Sequence, residues 1–447
     1  MSLVALVNAV GLPLAGQTVD STAHPETGSS TWAAAVLGTQ LNVIGQRLGR
    51  FRSAYSGPNS LDATGDAQVS HTYGVYLGAR LGTHLSGFLD VEMVRGAGIS
   101  RVVGLAGPTN GDVIRQGTAD LGTGPYVARA YLRYLIPIRR TKFDTVERAP
   151  DQMPGPVPAR RVEIIAGKLA ASDVFDVNRY ANSTRSQFMD WGLFQNTAWD
   201  FAADTRGYTN GVAVAWVTPR WAIRAGSFQM PTQANGNKFD PNLQLARGDN
   251  VELTVTPVEH GPTVRLLGFV NHARMGRYAD ALAATRSVEA PPSIVADDRP
   301  GRVKYGFGLN AEQPMADAGE TGGFLRLGWN DGKTESFAFA EVERHASGGV
   351  QLSGAHWRRA SDRVAVALLV SGLSSVHRAY LAAGGSGFLL GDGALDYGSE
   401  QIVESYYRAQ LGPHLQVSPD IQFIRNPGYN RARGPATVLS LRVNLRY

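Results

Sequence analysis

The sequence predicts an all-β fold: a transmembrane antiparallel β-barrel of 16 strands, with an inward-folded constriction loop that carries a short helix. Three observations predict it. Side chains alternate with period two from residue 71 onward, the connections between the alternating segments are short and long in turn, and the final segment is an amphipathic strand ending on Tyr447. Period two is the spacing of a strand whose two faces meet different surroundings.

The segments follow one another at 32–47, 68–82, 84–97, 126–139, 161–171, 207–218, 221–230, 250–258, 262–274, 303–313, 321–329, 345–357, 363–373, 401–411, 414–425 and 435–447. In the second, Tyr73, Val75, Leu77, Ala79 and Leu81 share one face, and Thr72, Gly74, Tyr76, Gly78 and Arg80 share the other. The third sets Leu85, Leu89, Val91 and Met93 against Ser86, Asp90 and Glu92, and the fourth sets Ala128, Ala130, Leu132 and Tyr134 against Arg129, Tyr131 and Arg133. The last opposes Leu439, Leu441, Val443, Leu445 and Tyr447 to Ser440, Arg442, Asn444 and Arg446. A terminal aromatic on such a strand has the form of the signal read by the outer-membrane barrel-assembly machinery.

Links after even-numbered segments are tight, as in Gly82-Thr83-His84, Thr218-Pro219-Arg220, Glu259-His260-Gly261, Arg359-Ala360-Ser361 and Gly412-Pro413. Links after odd-numbered segments are long: 48–67, 98–125, 172–206, 231–249, 275–302 and 374–400. Short turns at one end and long loops at the other describe an outer-membrane barrel, periplasmic below and extracellular above. Arg140 to Arg160 is the exception, long and Pro-rich where a tight turn is expected. No fixed-period repeat suggests a propeller or solenoid.

Composition agrees. The chain has 447 residues with 52 Gly and 18% charged residues, a texture too polar for a bundle of membrane helices and suited to strands that show half their side chains to lipid. There are no cysteines, which excludes disulfides, thiolate metal sites and cysteine nucleophiles. The net charge of +5 and the lack of a Lys/Arg-rich run give no footprint for nucleic acid. Residues 1–31 read as an export- or signal-like, or disordered, segment: Leu3 to Ala15 is apolar, but the first basic residue is Arg47. The barrel domain is expected over 32–447.

If apolar faces meet lipid, the opposite faces enclose water. They include Arg80, Arg129, Arg133, Arg224, Arg265, Arg326, Arg408, Arg442 and Arg446 against Asp90, Glu92, Glu404 and Asp420, a positive bias on this count. Arginine stays charged and offers a rigid fork of donors for hydroxyls, carboxylates or phosphates. The loop from Ser172 to Arg206 is rich in Phe, Tyr and Trp that need burial, and Thr184 with Gln187 resembles a capping box, predicting a helix from Arg185 to about Phe194. Folded into the barrel, this loop would bring Arg179, Arg185, Asp190, Asp200 and Arg206 to a constriction beside Trp191 and Trp199. Aromatic planes match the C–H faces of a sugar ring and charged rims match its hydroxyls. Each such residue also has a plainer reading, as a charge that solvates the wall or an aromatic that pins the loop.

Catalysis finds little support. The histidines include no pair three or four apart, and Gly384-Gly385-Ser386-Gly387-Phe388 departs from a nucleophile elbow at its last position. No metal or cofactor is expected.

The chain also resembles the carbohydrate-selective porins of the OprB family over nearly all of residues 31–447. The resemblance is carried by the segments Phe51–Leu61, Gly167-Lys168, Ser172–Asp176, Arg185–Trp191, Ala202–Tyr208, Lys304–Asn310, Trp329–Glu335, Tyr380–Gly385 and Tyr429–Pro435. It implies a 16-stranded outer-membrane barrel with an arginine-, acid- and aromatic-rich constriction favouring glucose-like sugars. Those roles carry onto Arg185, Asp190, Trp191 and Arg206; Arg80, Glu92 and Arg129 rest on alternation alone, and Trp199 on the loop's composition. The expected partners are small sugars, outer-membrane lipid and lipopolysaccharide, and the assembly machinery through Tyr447. A homotrimer is compatible with any apolar outer face. The competing functions are a porin for small organic or phosphate anions and a barrel-borne enzyme or adhesion protein.

Overall fold

A computed structural model describes residues 33–114, 121–258, 261–284 and 291–447. The segment 1–31, expected to be export-like or disordered, and part of the expected turn 259–261 lie outside the described residues. Sixteen antiparallel strands close into one barrel. They are β1 Ala33–Leu48, β2 Asp66–Arg80, β3 Leu85–Gly96, β4 Tyr126–Pro137, β5 Arg161–Leu169, β6 Thr209–Val217, β7 Trp221–Gln229, β8 Arg247–Val255, β9 Thr263–Met275, β10 Arg299–Ala316, β11 Thr321–Asn330, β12 Arg344–Ser353, β13 Arg363–Gly372, β14 Glu400–Gln410, β15 Leu415–Arg425 and β16 Ala436–Arg446. Each pairs with its sequence neighbour, and β16 returns to β1 with Gln40 opposite Arg446 and Leu48 opposite Val438. Beyond the last strand pair, Tyr447 N–H donates to the Thr39 carbonyl at 3.0 Å and Thr39 N–H to that of Tyr447 at 3.0 Å. Closure leaves no edge on the 16-stranded sheet, the condition for β-structure in a bilayer.

The polarity is inside-out relative to a water-soluble protein. In β16, Leu439, Leu441 and Leu445 are 53%, 50% and 47% exposed, whereas Arg442 and Asn444 between them are each 1% exposed. In β8, Val251, Leu253 and Val255 face outward while Asn250, Glu252 and Thr254 are buried. This is the alternation read in the sequence, with acyl chains as solvent for the apolar face.

All 16 expected strands are present, with shifted ends. β10 extends beyond the expected 303–313 at both ends, because β9 and β11 continue to pair with it. β12 stops at Ser353, whose hydroxyl accepts the Ala355 N–H at 3.3 Å and starts a single 3₁₀ turn over Gly354–Trp357. The anomalous stretch 140–160 is a hairpin, Phe143–Val146 paired with Gly155–Pro158. Its tip turns back into the lumen from the short-turn end, where Met153 joins Leu37, Tyr76 and Phe88.

The long loop 170–208 fills much of the lumen. Its expected helix from Arg185 to Phe194 is corrected to a four-residue helix, α1 Trp191–Phe194, capped by the Asp190 side chain accepting the Gly192 N–H at 2.9 Å. The Gln187 side chain does not complete a capping box; it accepts the N–H groups of Asn182 and Ser183 and holds a turn. Glycines on the wall make room for the loop. At Gly328 a Cβ would sit 2.1 Å from Asn196 Oδ1, so only glycine lets that side chain approach. At the long-loop end, helices α2 Tyr278–Ala284 and α3 Ser375–Ala382 pack together over the rim. His377 of α3 stacks on Tyr278 at 4.1 Å and holds Glu343 at 2.9 Å.

Candidate constriction site

Loop, wall and hairpin meet around a cavity of about 520 Å³ inside the barrel. β3 and β4 supply Glu92, Tyr126, Arg129 and Arg133, and β5 supplies Glu163. The loop between β5 and β6 supplies Asp173, Arg185, Trp191, Phe194, Arg206 and Tyr208, the hairpin tip Asp151, and loops after β3 and β11 supply Asp112 and Phe339.

Two charged knots hold this geometry. In the first, Arg185 donates from Nη1 to Glu92 Oε1 at 2.8 Å and to the Tyr76 hydroxyl at 2.9 Å, and from Nε to Asp112 Oδ1 at 2.8 Å. The other oxygen of Glu92 accepts the hydroxyls of Tyr208 at 2.6 Å and Tyr126 at 3.3 Å. In the second, Arg129 grips Asp173 through Nε and Nη2, both at 2.7 Å, and reaches Asp90 through Nη1 at 3.2 Å. Such two-pronged pairs fix direction as well as distance. The Arg129 guanidinium also lies 5.2 Å over the Tyr208 ring, and that of Arg206 lies 4.4 Å over Tyr126. The same cavity is lined by an aromatic group in which Trp191 stands 4.6 Å from Phe339 and 5.1 Å from Phe194.

The structure thus brings Glu92, Arg129, Arg185, Trp191 and Arg206 to one cavity and leaves five expected residues off it. Arg179 pairs instead with Glu320 at 3.5 Å, and buried Asp200 pairs with Lys304 at 3.0 Å. Arg80 lies at the short-turn end and donates to the Pro154 carbonyl of the hairpin at 2.7 Å. Asp190 is wholly buried as the cap of α1. Trp199 is buried against Phe175 and Phe201, and its Nε1–H donates to Asn250 Oδ1 at 2.8 Å. Asp151, Asp173, Tyr208 and Phe339, none of them expected at the site, also line it. Asp173 and Tyr208 end or sit within loop segments that carry the family resemblance, but nothing in the sequence pattern singles out Phe339 or the hairpin tip.

The expected positive bias of the lumen is not found at the cavity. Arg129, Arg133, Arg185 and Arg206 line it together with Glu92, Asp112, Asp151, Glu163 and Asp173. The sequence count omitted Glu163, which pairs with Arg133 at 2.7 Å and Arg161 at 3.0 Å, and likewise Glu252 and Glu312, which pair with Arg224 and Arg265. It also omitted acids that arrive with the loop, Asp173 and Asp176. Four guanidinium groups thus stand against five carboxyl groups, close to charge balance.

A closed 16-stranded barrel with apolar outward faces and an inward loop that narrows a polar passage is an outer-membrane porin. A family model described as "Carbohydrate-selective porin, OprB family" matches residues 141–447, and the chain belongs to that family. Among solved structures, a high-pH structure of Pseudomonas putida OprB is similar over 92% of this chain and 94% of that chain, with a TM-score of 0.67 at 15% identity. An anion-selective porin from Comamonas acidovorans is similar over 93% of this chain and 100% of that chain, with a TM-score of 0.50 at 9% identity. At these identities the likeness concerns the fold. No curated protein matches the chain by sequence.

Proposed function

We propose that the chain lets small neutral sugars, glucose-like monosaccharides, diffuse passively through the Arg185–Trp191 constriction without catalysing a reaction. The observation that carries this reading is the cavity's composition: paired, near-balanced charges together with the Trp191–Phe339–Phe194 group. Unbalanced rings of charge select ions, whereas balanced pairs leave donors and acceptors for a solute without net charge. Aromatic faces add affinity for C–H surfaces while the pore still releases its solute; a millimolar constant, about −4 kcal/mol, suits efficient passage. In this reading residues 32–447 act as one porin domain. Tyr447 is the residue presented to the assembly machinery, and the apolar outer wall can accommodate a trimer.

The test is single-channel current in a planar bilayer titrated with glucose. Saturable block in the millimolar range with a small reversal potential in a salt gradient is expected. Strong anion selectivity that glucose does not disturb would overturn the neutral-sugar reading in favour of an anion pore. Liposome swelling should be faster in monosaccharide than in trisaccharide.

A further inference from the structure

The outer face of the barrel carries a second polar feature, above the apolar band. Three successive upward strands along the wall, β15, β1 and β3, each finish at the long-loop end with an exposed arginine: Arg425, Arg47 and Arg95. Their alternation places them on the lipid-facing side. Arg425 follows Phe423 and Ile421, Arg47 follows Gly45 and Val43, and Arg95 follows Met93 and Val91. β15, Leu415–Arg425 (11 residues), climbs about 25 Å at roughly 3.3 Å per residue and about 40° tilt, so its arginine stands where the hydrocarbon ends. At the opposite end, outward strand positions carry Ile136, Trp216, Trp221 and Leu445.

These three guanidinium groups have no hydrogen-bond or ion-pair partner among the described residues, unlike Arg247, Arg274 and Arg299 further round the same rim, which pair with Asp249, Asp298 and Asp297. Asp66, at the head of β2 between β1 and β3, is spent on the N–H groups of Ala67 and Ser100. An arc of unspent guanidinium forks directly above an apolar wall matches one kind of molecule: a lipid whose head bears phosphate esters and whose acyl chains lie along the strands below. We infer that Arg425, Arg47 and Arg95 form a docking ledge for the phosphorylated glycolipid of the outer leaflet. The phosphates take the forks, and the chains cover the Phe423 and Ile421 face.

Native mass spectrometry of the detergent-purified full chain tests this with diphosphorylated lipid A, its dephosphorylated counterpart and phosphatidylethanolamine as probes. Retention of the diphosphorylated lipid alone is expected, weakening roughly a hundredfold in R47Q/R95Q/R425Q, at about tenfold or less per cation near an anionic surface. R247Q/R299Q, which removes arginines already paired, should retain the lipid as the unmodified chain does. Equal retention of the dephosphorylated lipid, or equal loss in both variants, would overturn the proposal; the first comparison needs no variant to fold. The same spectra count chains per particle. If R47Q/R95Q/R425Q alters that number and leaves lipid retention unchanged, the arc is a seat for a second copy of the chain and the glycolipid assignment fails.

Discussion

The two sides of the lumen use the same residue types for different work. Toward β3–β5 the loop 170–208 stands off the wall, and its charged side chains pair with other side chains: Arg185 with Glu92 and Asp112, Asp173 with Arg129. Toward β10–β16 the loop lies flush, and the wall's side chains serve the loop's backbone. Glu404 accepts the N–H groups of Met189 and Asp190, Arg442 donates to the carbonyls of Thr184 and Gln187, and Arg326 donates to those of Leu193 and Asp176. The reason is that a loop with one short helix leaves most of its N–H and C=O groups without regular partners, and buried ones must be satisfied somewhere. The filled side supplies those partners, so the open side is free to present side chains to a solute.

The largest effect should come from breaking the filled side. Arg326 is fully buried, holds Asp176 at 3.0 Å and spans two loop carbonyls. Arg326→Ala leaves a buried carboxylate and loosens the loop, at about 3–5 kcal/mol. Thermal unfolding of the detergent-solubilised barrel should begin at lower temperature, and single-channel conductance should rise several-fold as the constriction opens. If conductance and unfolding were both unchanged, the filled side would not be what seats the loop.

Next comes the open side. Arg185→Gln keeps a donor but removes one of four cations from a cavity whose acids remain, while Glu92 still accepts the hydroxyls of Tyr208 and Tyr126. The reversal potential should move toward cation selectivity, and glucose block should weaken about tenfold, the worth of one hydrogen bond to a charged group. Its unfolding should change much less than that of the Arg326 variant. A variant as unstable as Arg326→Ala would place Arg185 with the mortar rather than the lining.

This contrast marks what could be read in the sequence. The strands were legible because each one obeys a single local rule, polar inward and apolar outward, as in Leu439 to Leu445. The loop obeys no such rule. Trp191 and Trp199 lie on one loop eight positions apart, and Asp173 and Asp190 are equally acidic, yet one of each pair lines the cavity and the other is buried beneath it. The choice depends on which wall the chain faces, a long-range fact that periodicity does not encode. The short helix was misplaced for a related reason: Gln187 turned to nearby N–H groups within its own turn, leaving Asp190 as the cap. The hairpin tip with Asp151 was visible only as an anomalous length.

A smaller effect separates the two tryptophans. Trp191→Ala should weaken glucose block about threefold to tenfold, roughly 1 kcal/mol, while ionic conductance changes by less than about a factor of two. Trp199→Ala should instead lower stability through the cavity left beside Phe175 and Phe201, by about 3–5 kcal/mol, with sugar block following only as the loop loosens. Equal proportional loss of block and conductance in Trp191→Ala would assign it a scaffold role.

The finest test concerns Asp190, on the loop but against the filled side. Burial, with Asp420 nearby, pushes its carboxyl up from an ordinary 3.8 to about 8. Because the folded pKa lies above the unfolded one, folding favours the protonated form. The full benefit is present below about pH 4, declines as the unfolded chain ionises, and is gone once pH passes about 8. Stability of the seated loop should therefore fall across that window and flatten beyond it. Asp190→Asn keeps an oxygen to accept the Gly192 N–H and removes this group's titration. Glu404, Asp420 and Glu400 surround the same position and also titrate, so the measurement is the difference between the two proteins' unfolding temperatures at each pH. That difference should grow in favour of the Asn variant from about pH 4 to about pH 8. A flat difference would mean that Asp190 stays ionised in its buried cap and that some other group neutralises it.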